Sequence, residues 1–185
     1  IIENGYPQNP FFSIVDPLTQ TRKFLPLGTT AAAWSPNAKE IVFMKNQSLN
    51  IFTVSTGKSR FVAHLTMADI ILAWEKPQEI YIGTRPATGI MGQWWSFNLG
   101  KKTLRALTDE LPGLTIHWAI GGAQGIQFSD DSTTQKAGLR LIRPESTLGT
   151  DLRLLTLPDK CTLVESTLYC GEPLVSRGSQ WPDAY

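Results

Sequence analysis

Ala31-Ala32-Ala33-Trp34-Ser35-Pro36, then Glu40-Ile41-Val42-Phe43-Met44, then Leu49-Asn50-Ile51-Phe52-Thr53-Val54 is the stretch that decides the fold: three short apolar runs separated by turn-forming residues. Versions of it return downstream. Trp34, Trp74 and Trp118 stand 40 and 44 residues apart, each ending an apolar run, with second runs following at Ile41–Met44, Ile80–Ile82 and Ile126–Phe128. A fourth copy has Leu163 in the tryptophan's place, with Leu168–Cys170 after it. A fixed period of about 40 to 50 residues marks stacked modules.

A second feature recurs in phase. Phe11–Val15 leads through Asp16-Pro17-Leu18-Thr19-Gln20 to Arg22–Leu25, Asn50–Val54 through Gly57 to Arg60–Val62, and Trp94–Phe97 through Gly100 to Thr103–Leu107. Each is a strand pair joined by a tight turn in which Gly or Pro sets the backbone. Two hairpins per period make four short strands. No window shows a helical stripe of useful length, β-branched and aromatic residues are frequent, and Pro or Gly interrupts the chain about every ten residues. The fold class expected is all-β: a partial β-propeller of four-stranded antiparallel blades, about four blades' worth of chain.

Trp34-Ser35-Pro36, Ile41-x-Phe43, Ile51-x-x-Val54 and Gly57 resemble the WD40-like repeat of TolB-type bacterial propellers, W-S-P-D-G-x-x-I-x-F followed by I-x-x-x-D-x-x-x-G. The chain departs at Asn37-Ala38, where the family has Asp-Gly, and at Ser55, where Asp is common. The later copies depart further, with Glu75-Lys76-Pro77 and Ala119-Ile120-Gly121 after their tryptophans. The tail from Leu157 to Asp183 is similar to propeller proteins of bacterial cell surfaces. On this reading residues 1–27 are an outer half-blade, 28–66, 67–110 and 111–157 are blades, and 158–185 begin another. The resemblance implies closure with about six or seven blades, so the remaining blades of a longer parent protein are expected partners. The opening Ile1-Ile2-Glu3-Asn4-Gly5 fits a fragment or a processed chain.

The composition excludes several classes. The 185 residues are 42% apolar and 18% charged with a net charge of +1, which places them among ordinary globular domains. Lys101-Lys102 is the densest basic pair, so no basic stripe tracks a phosphate backbone and no nucleic acid is expected. The longest apolar run, Ile70–Trp74, is far short of the roughly 20 residues of a spanning helix, and no transmembrane segment is expected.

The search for chemistry yields no catalytic set. There is no G-x-S-x-G elbow, no phosphate loop and no metal-ligand spacing around His64 or His117. Gly121-Gly122-Ala123-Gln124-Gly125 lies between two strands without a following helix and reads as a hairpin turn. No cofactor and no metal are expected. The recurring tryptophans read as packing between blades, and one of Trp94 and Trp95 must leave its own face. Two stretches between second and third strands are long, Gly83–Gly92 and Ser129–Gly138. Lying side by side, they would carry a ligand or partner patch of Arg85, Met91, Asp130, Asp131 and Lys136. Two solvated insertions are the alternative.

Counting outward from a two-residue turn at Glu165-Ser166 sets Cys161 opposite Cys170 in a non-hydrogen-bonded pair. Such pairs bring Cα atoms to about 4.5 Å, at the short edge of the disulfide range. Either a cross-strand disulfide or a facing thiol pair follows, and a bond would argue for an extracytoplasmic protein, in the periplasm or at the cell surface. The function expected is a non-catalytic propeller scaffold that binds a protein or cell-envelope component through one ring end. The alternative is the propeller domain of a larger enzyme, such as a prolyl-oligopeptidase-type serine peptidase, with its catalytic domain outside this chain.

Overall fold

The computed structural model describes residues 1–4, 11–131, 136–164 and 167–171, and at 2–4, 131, 136, 137, 147 and 148 it describes the backbone alone. The described chain is all-β. Its sheets are meanders in which each strand pairs with the next in sequence, except that Met91–Gly92 leaves the third sheet to pair with Leu111–Pro112 in a two-stranded ribbon, and Glu79–Thr84 pairs with Trp94–Asn98.

The first sheet joins β1 (Ile2–Asn4), β2 (Phe11–Val15) and β3 (Arg22–Phe24). The turn after β2 is tied by Asp16, whose Oδ1 accepts the Leu18 N–H at 2.9 Å. The second sheet holds β4 (Thr29–Trp34), β5 (Glu40–Lys45), β6 (Ser48–Thr53) and β7 (Lys58–His64) in that order. Ile41, Val42, Phe43 and Met44 on β5 are all buried. Consecutive strand residues point to opposite faces, so a run buried throughout means that both faces of the sheet are covered. On one face Ile41 and Phe43 join Phe12, Ile14, Leu25 and Phe52 in a core, with Trp34 partly buried against it. β8 (Ile70–Lys76) packs against β4 and β5.

The third sheet continues from β8 to β9 (Glu79–Thr84) and, after the two-residue β10 (Met91–Gly92), to β11 (Trp94–Asn98) and β12 (Thr103–Ala106). β10 pairs outside this sheet with β13 (Leu111–Pro112). The fourth sheet is β14 (Thr115–Trp118), β15 (Gly125–Asp131), β16 (Lys136–Arg143) and β17 (Ser146–Asp151). A single 3-10 turn at Pro158–Lys160 leads into the hairpin β18 (Cys161–Val164) and β19 (Thr167–Cys170). Glu165 and Ser166, expected as its turn, lie outside the described residues. The chain divides into two compact units, 1–80 with 98–103 and 81–97 with 104–185.

Within the second unit the fourth sheet has two distinct faces. Trp118 opposes Gly125 and Gly125 opposes Ile142, while Ile116 opposes Gln127 and Gln127 opposes Arg140. Paired residues share a face, so these six lie on one side. Ile126, Phe128 and Leu139 lie on the other, buried with Leu157 and Cys161. On the first side the Tyr81 ring sits 4.3 Å from Trp118, and Trp94 meets Trp118 edge-on at 6.0 Å. Tyr81, Trp94 and Trp118 are all buried. The Tyr81 hydroxyl donates to the Gly122 carbonyl at 2.9 Å, which ties this aromatic core to the β14–β15 turn. Trp34 differs from Trp74 and Trp118 in being only partly buried.

The stretch Ser129–Gly138, expected as a long loop, is mostly ladder. Ser129 opposes Gly138, Asp130 opposes Ala137 and Asp131 opposes Lys136, leaving 132–135 outside the described residues. A hairpin arm needs no apolar face to keep its main-chain bonds, so its polar composition does not separate it from a loop.

Candidate functional site

The segment after β9 is the feature that most resembles a recognition loop. Its ends are clamped: the Thr84 N–H donates to the Gln93 carbonyl at 3.0 Å, and the Gln93 N–H returns to Thr84 Oγ1 at 3.2 Å. The Gln93 side chain donates to the Thr108 carbonyl at 2.9 Å. Met91 and Gly92 pair with Pro112 and Leu111, and Gly113 N–H donates to the Ile90 carbonyl at 2.9 Å. Gly92 permits this approach, since a Cβ there would stand 3.2 Å from Leu114 Cβ. The backbone is held on both sides, yet Ile90 and Met91 each remain 52% exposed. An apolar pair kept in water by a fixed backbone is suited to contact, because little ordering entropy is lost when a partner covers it.

Of the expected patch, Arg85 is half-buried at the start of this segment and Met91 is exposed on β10. Asp130 is half-buried on β15, and Asp131 and Lys136 are placed by backbone register alone. β13 connects the two halves, pairing with β10 and packing against β15. Ile90 was missed. As an apolar residue beside Met91 it carries no sequence mark that separates exposure from burial.

Among the described residues no set of side chains assembles as catalytic machinery. Ser48 Oγ lies 3.2 Å from His64 Nδ1, and the His64 ring lies 4.9 Å from the exposed Phe61 ring. No carboxylate pairs with His64 among the described residues, so the imidazole lacks the third group that orients a catalytic base. His117 is exposed on β14. Among the described residues no three His, Cys, Asp or Glu side chains gather to hold a metal, and no helix is long and apolar enough to cross a membrane. Among carboxylates, burial raises the pKa of half-buried Glu75, and the Leu18 N–H leads the bonds that lower that of exposed Asp16.

Cys161 and Cys170 oppose each other on β18 and β19 and are joined by a disulfide with Cα atoms 4.1 Å apart. Gly171 N–H donates to the Lys160 carbonyl at 3.0 Å, so 160 and 171 form the hydrogen-bonded pair and the cysteines the close, non-hydrogen-bonded one.

No protein-family model matches the chain, and no curated protein matches it in sequence. Solved structures do match in shape. TolB from Acinetobacter baumannii superposes with a TM-score of 0.64 at 14% identity, over 84% of this chain and 41% of that one. Acylaminoacyl peptidase from Pyrococcus horikoshii gives 0.56 at 13% identity, over 78% of this chain and 28% of that one. The β-propeller domain of the Trilobed protease from Pyrococcus furiosus gives 0.53 at 15% identity, over 89% and 55%. The chain thus spans about two fifths of the TolB and little more than a quarter of the peptidase. With its four-stranded antiparallel sheets and these likenesses, it has a β-propeller fold, as TolB and the peptidase propellers have.

Proposed function

We propose that this chain is a non-catalytic propeller segment that binds a protein or cell-envelope component through the segment carrying Arg85, Ile90 and Met91 and the β15–β16 hairpin arm carrying Asp130, Asp131 and Lys136. The observation that carries this reading is the exposure of Ile90 and Met91, 52% each, on a backbone pinned by β13. Long segments on a rigid scaffold are where propellers and other β folds place recognition. The Cys161–Cys170 bond supports an extracytoplasmic location, since disulfides persist in oxidising compartments. On the same reading residues 28–66, 67–110 and 111–157 serve as successive blades, and further blades of a longer parent complete the ring.

Retention of a partner from a cell-envelope extract tests the reading, comparing the wild-type chain with an Ile90→Asp, Met91→Asp double variant. One specific partner retained by the wild type and lost with the variant, at equal thermal stability, is the expected result. Equal retention by both removes the loop from the function.

The second reading is the propeller domain of a larger peptidase, and the likeness to acylaminoacyl peptidase favours it. In that case the same loops face a hydrolase domain supplied from outside this chain. A partner carrying a serine-hydrolase elbow, or the same elbow in a contiguous reading frame, would select this reading over the first.

A further inference from the structure

The side of the fourth sheet that carries Trp118 and Gln127 encloses a cavity of about 120 Å³ against the segment 107–111. Trp118, Gln127, Arg140 and Arg143 line it from the sheet, and Thr108 and Asp109 from the segment. None of its lining residues belongs to the patch proposed above, although Leu111, which pairs with Gly92 beside Met91, lines it.

Its lining is rich in unused donors. The Trp118 indole N–H is buried without an acceptor, and Trp118 as a whole is 4% exposed. Gln127 is 5% exposed, and its amide makes no hydrogen bond among the described residues. Arg140 and Arg143 are exposed, and among the described residues neither pairs with a carboxylate. Asp151 stands opposite Arg140 in the ladder, yet the two form no ion pair. The nearby Arg105 guanidinium is used otherwise, donating to the Pro144 carbonyl at 3.3 Å. The available acceptor is the exposed Asp109 carboxylate. Buried donors left unpaired are costly and hold either water or a ligand. Two guanidinium groups beside them select for negative charge, and guanidinium forks fit a planar carboxylate in two parallel bonds. A cavity of this size holds roughly four waters, or a carboxylate with a short stem.

We propose that this cavity is a carboxylate-binding site. Arg140 and Arg143 neutralise the anion, the Gln127 amide supplies a neutral donor, the Trp118 ring forms part of the wall, and Asp109 limits affinity by like-charge repulsion. The carboxylate comes from a small free acid or from the C-terminus of a peptide.

Proton–nitrogen NMR of the whole chain tests this, following the Trp118 indole and Gln127 side-chain amide signals, assigned with Trp118→Phe and Gln127→Glu. Sodium acetate, triglycine and triglycine amide are added at millimolar concentrations, with sodium chloride at equal ionic strength as the control. Saturable shifts of both signals with triglycine but not with its amide support the site and identify a peptide terminus as its ligand. Saturable shifts with acetate alone support it with a free acid as ligand. In either case Arg143→Ala weakens binding about tenfold, and Asp109→Asn tightens it about two- to fivefold. No saturable shift, equal shifts with triglycine amide or chloride, or an affinity indifferent to both substitutions overturns the proposal.

Discussion

The indole of Trp94 occupies the space where a side chain on Gly83 would be: a Cβ added to Gly83 would overlap Trp94 Cε2. Trp118 covers Gly125 in the same way, with Cε3 at 2.8 Å from the added Cβ. Trp94 cannot withdraw, since it is 2% exposed and meets Trp118 edge-on. Gly83→Ala therefore overpacks the core and is expected to lose about 1–3 kcal/mol. Gly138, which has no atom within 4 Å of its added Cβ, is the control: Gly138→Ala stays within about 0.5 kcal/mol. Urea unfolding of the two variants separates them, and equal midpoints would mean that the glycine–tryptophan contacts are not tight.

The turn between β4 and β5 shows how the chain departs from the W-S-P-D-G pattern. Asn37 Oδ1 accepts from the Ser35 hydroxyl at 2.8 Å and from the Lys39 N–H at 3.0 Å, and Ser35 Oγ accepts the Glu40 N–H at 2.9 Å. Asn37 thus supplies the acceptor an Asp would supply. Ala38 takes φ 55°, a left-handed conformation that suits Gly. Ala38→Gly is expected to stabilise by about 0.5–1 kcal/mol, the relief of strain exceeding the added freedom of the unfolded chain. Calorimetry checks the sign, and a lower Tm than wild type contradicts it.

The disulfide closes a short loop, with nine residues of sequence separation between Cys161 and Cys170. Restricting the unfolded chain in a loop of this length contributes about 2–3 kcal/mol. Since Cys161 is buried beside Ile126 and Phe128, reduction is expected to loosen β18 and β19 before the fourth sheet. Hydrogen exchange with and without reductant reads this, and unchanged protection of 161–170 after verified reduction contradicts it.

Glu75 supplies a pH test. Burial raises its pKa in the folded state above the unfolded value, so the folded state binds its proton more tightly. Its contribution to stability is full below the ordinary carboxylate range and is lost as pH rises through the folded pKa. Glu75→Gln is expected to stabilise at neutral pH and to be indifferent near about pH 3. A stabilisation equal at both pH values contradicts the assigned cause.

The periodic tryptophans, the alternating runs and the glycine turns made the four-stranded pattern legible, because each reflects a local rule of strand and turn chemistry. The extent of the β15–β16 hairpin was not legible. Ser129, Asp130 and Asp131 lack the apolar alternation that marks a half-buried strand, although their backbones are paired. The β10–β13 ribbon was equally hidden, since two residues on each side leave no periodicity to read. Of the candidate site, Met91 was legible by its place in a long connection. Ile90, and the cavity beside Trp118 and Gln127, depend on which residues face each other across strands far apart in sequence.

The loop-end account is tested most directly by photo-crosslinking from position 91 in cells, with position 60 on the exposed outer strand β7 as control. The account predicts one discrete crosslinked species from 91, abolished by Ile90→Asp, and none from 60. Crosslinks of equal yield from both positions, or from 60 alone, would contradict it.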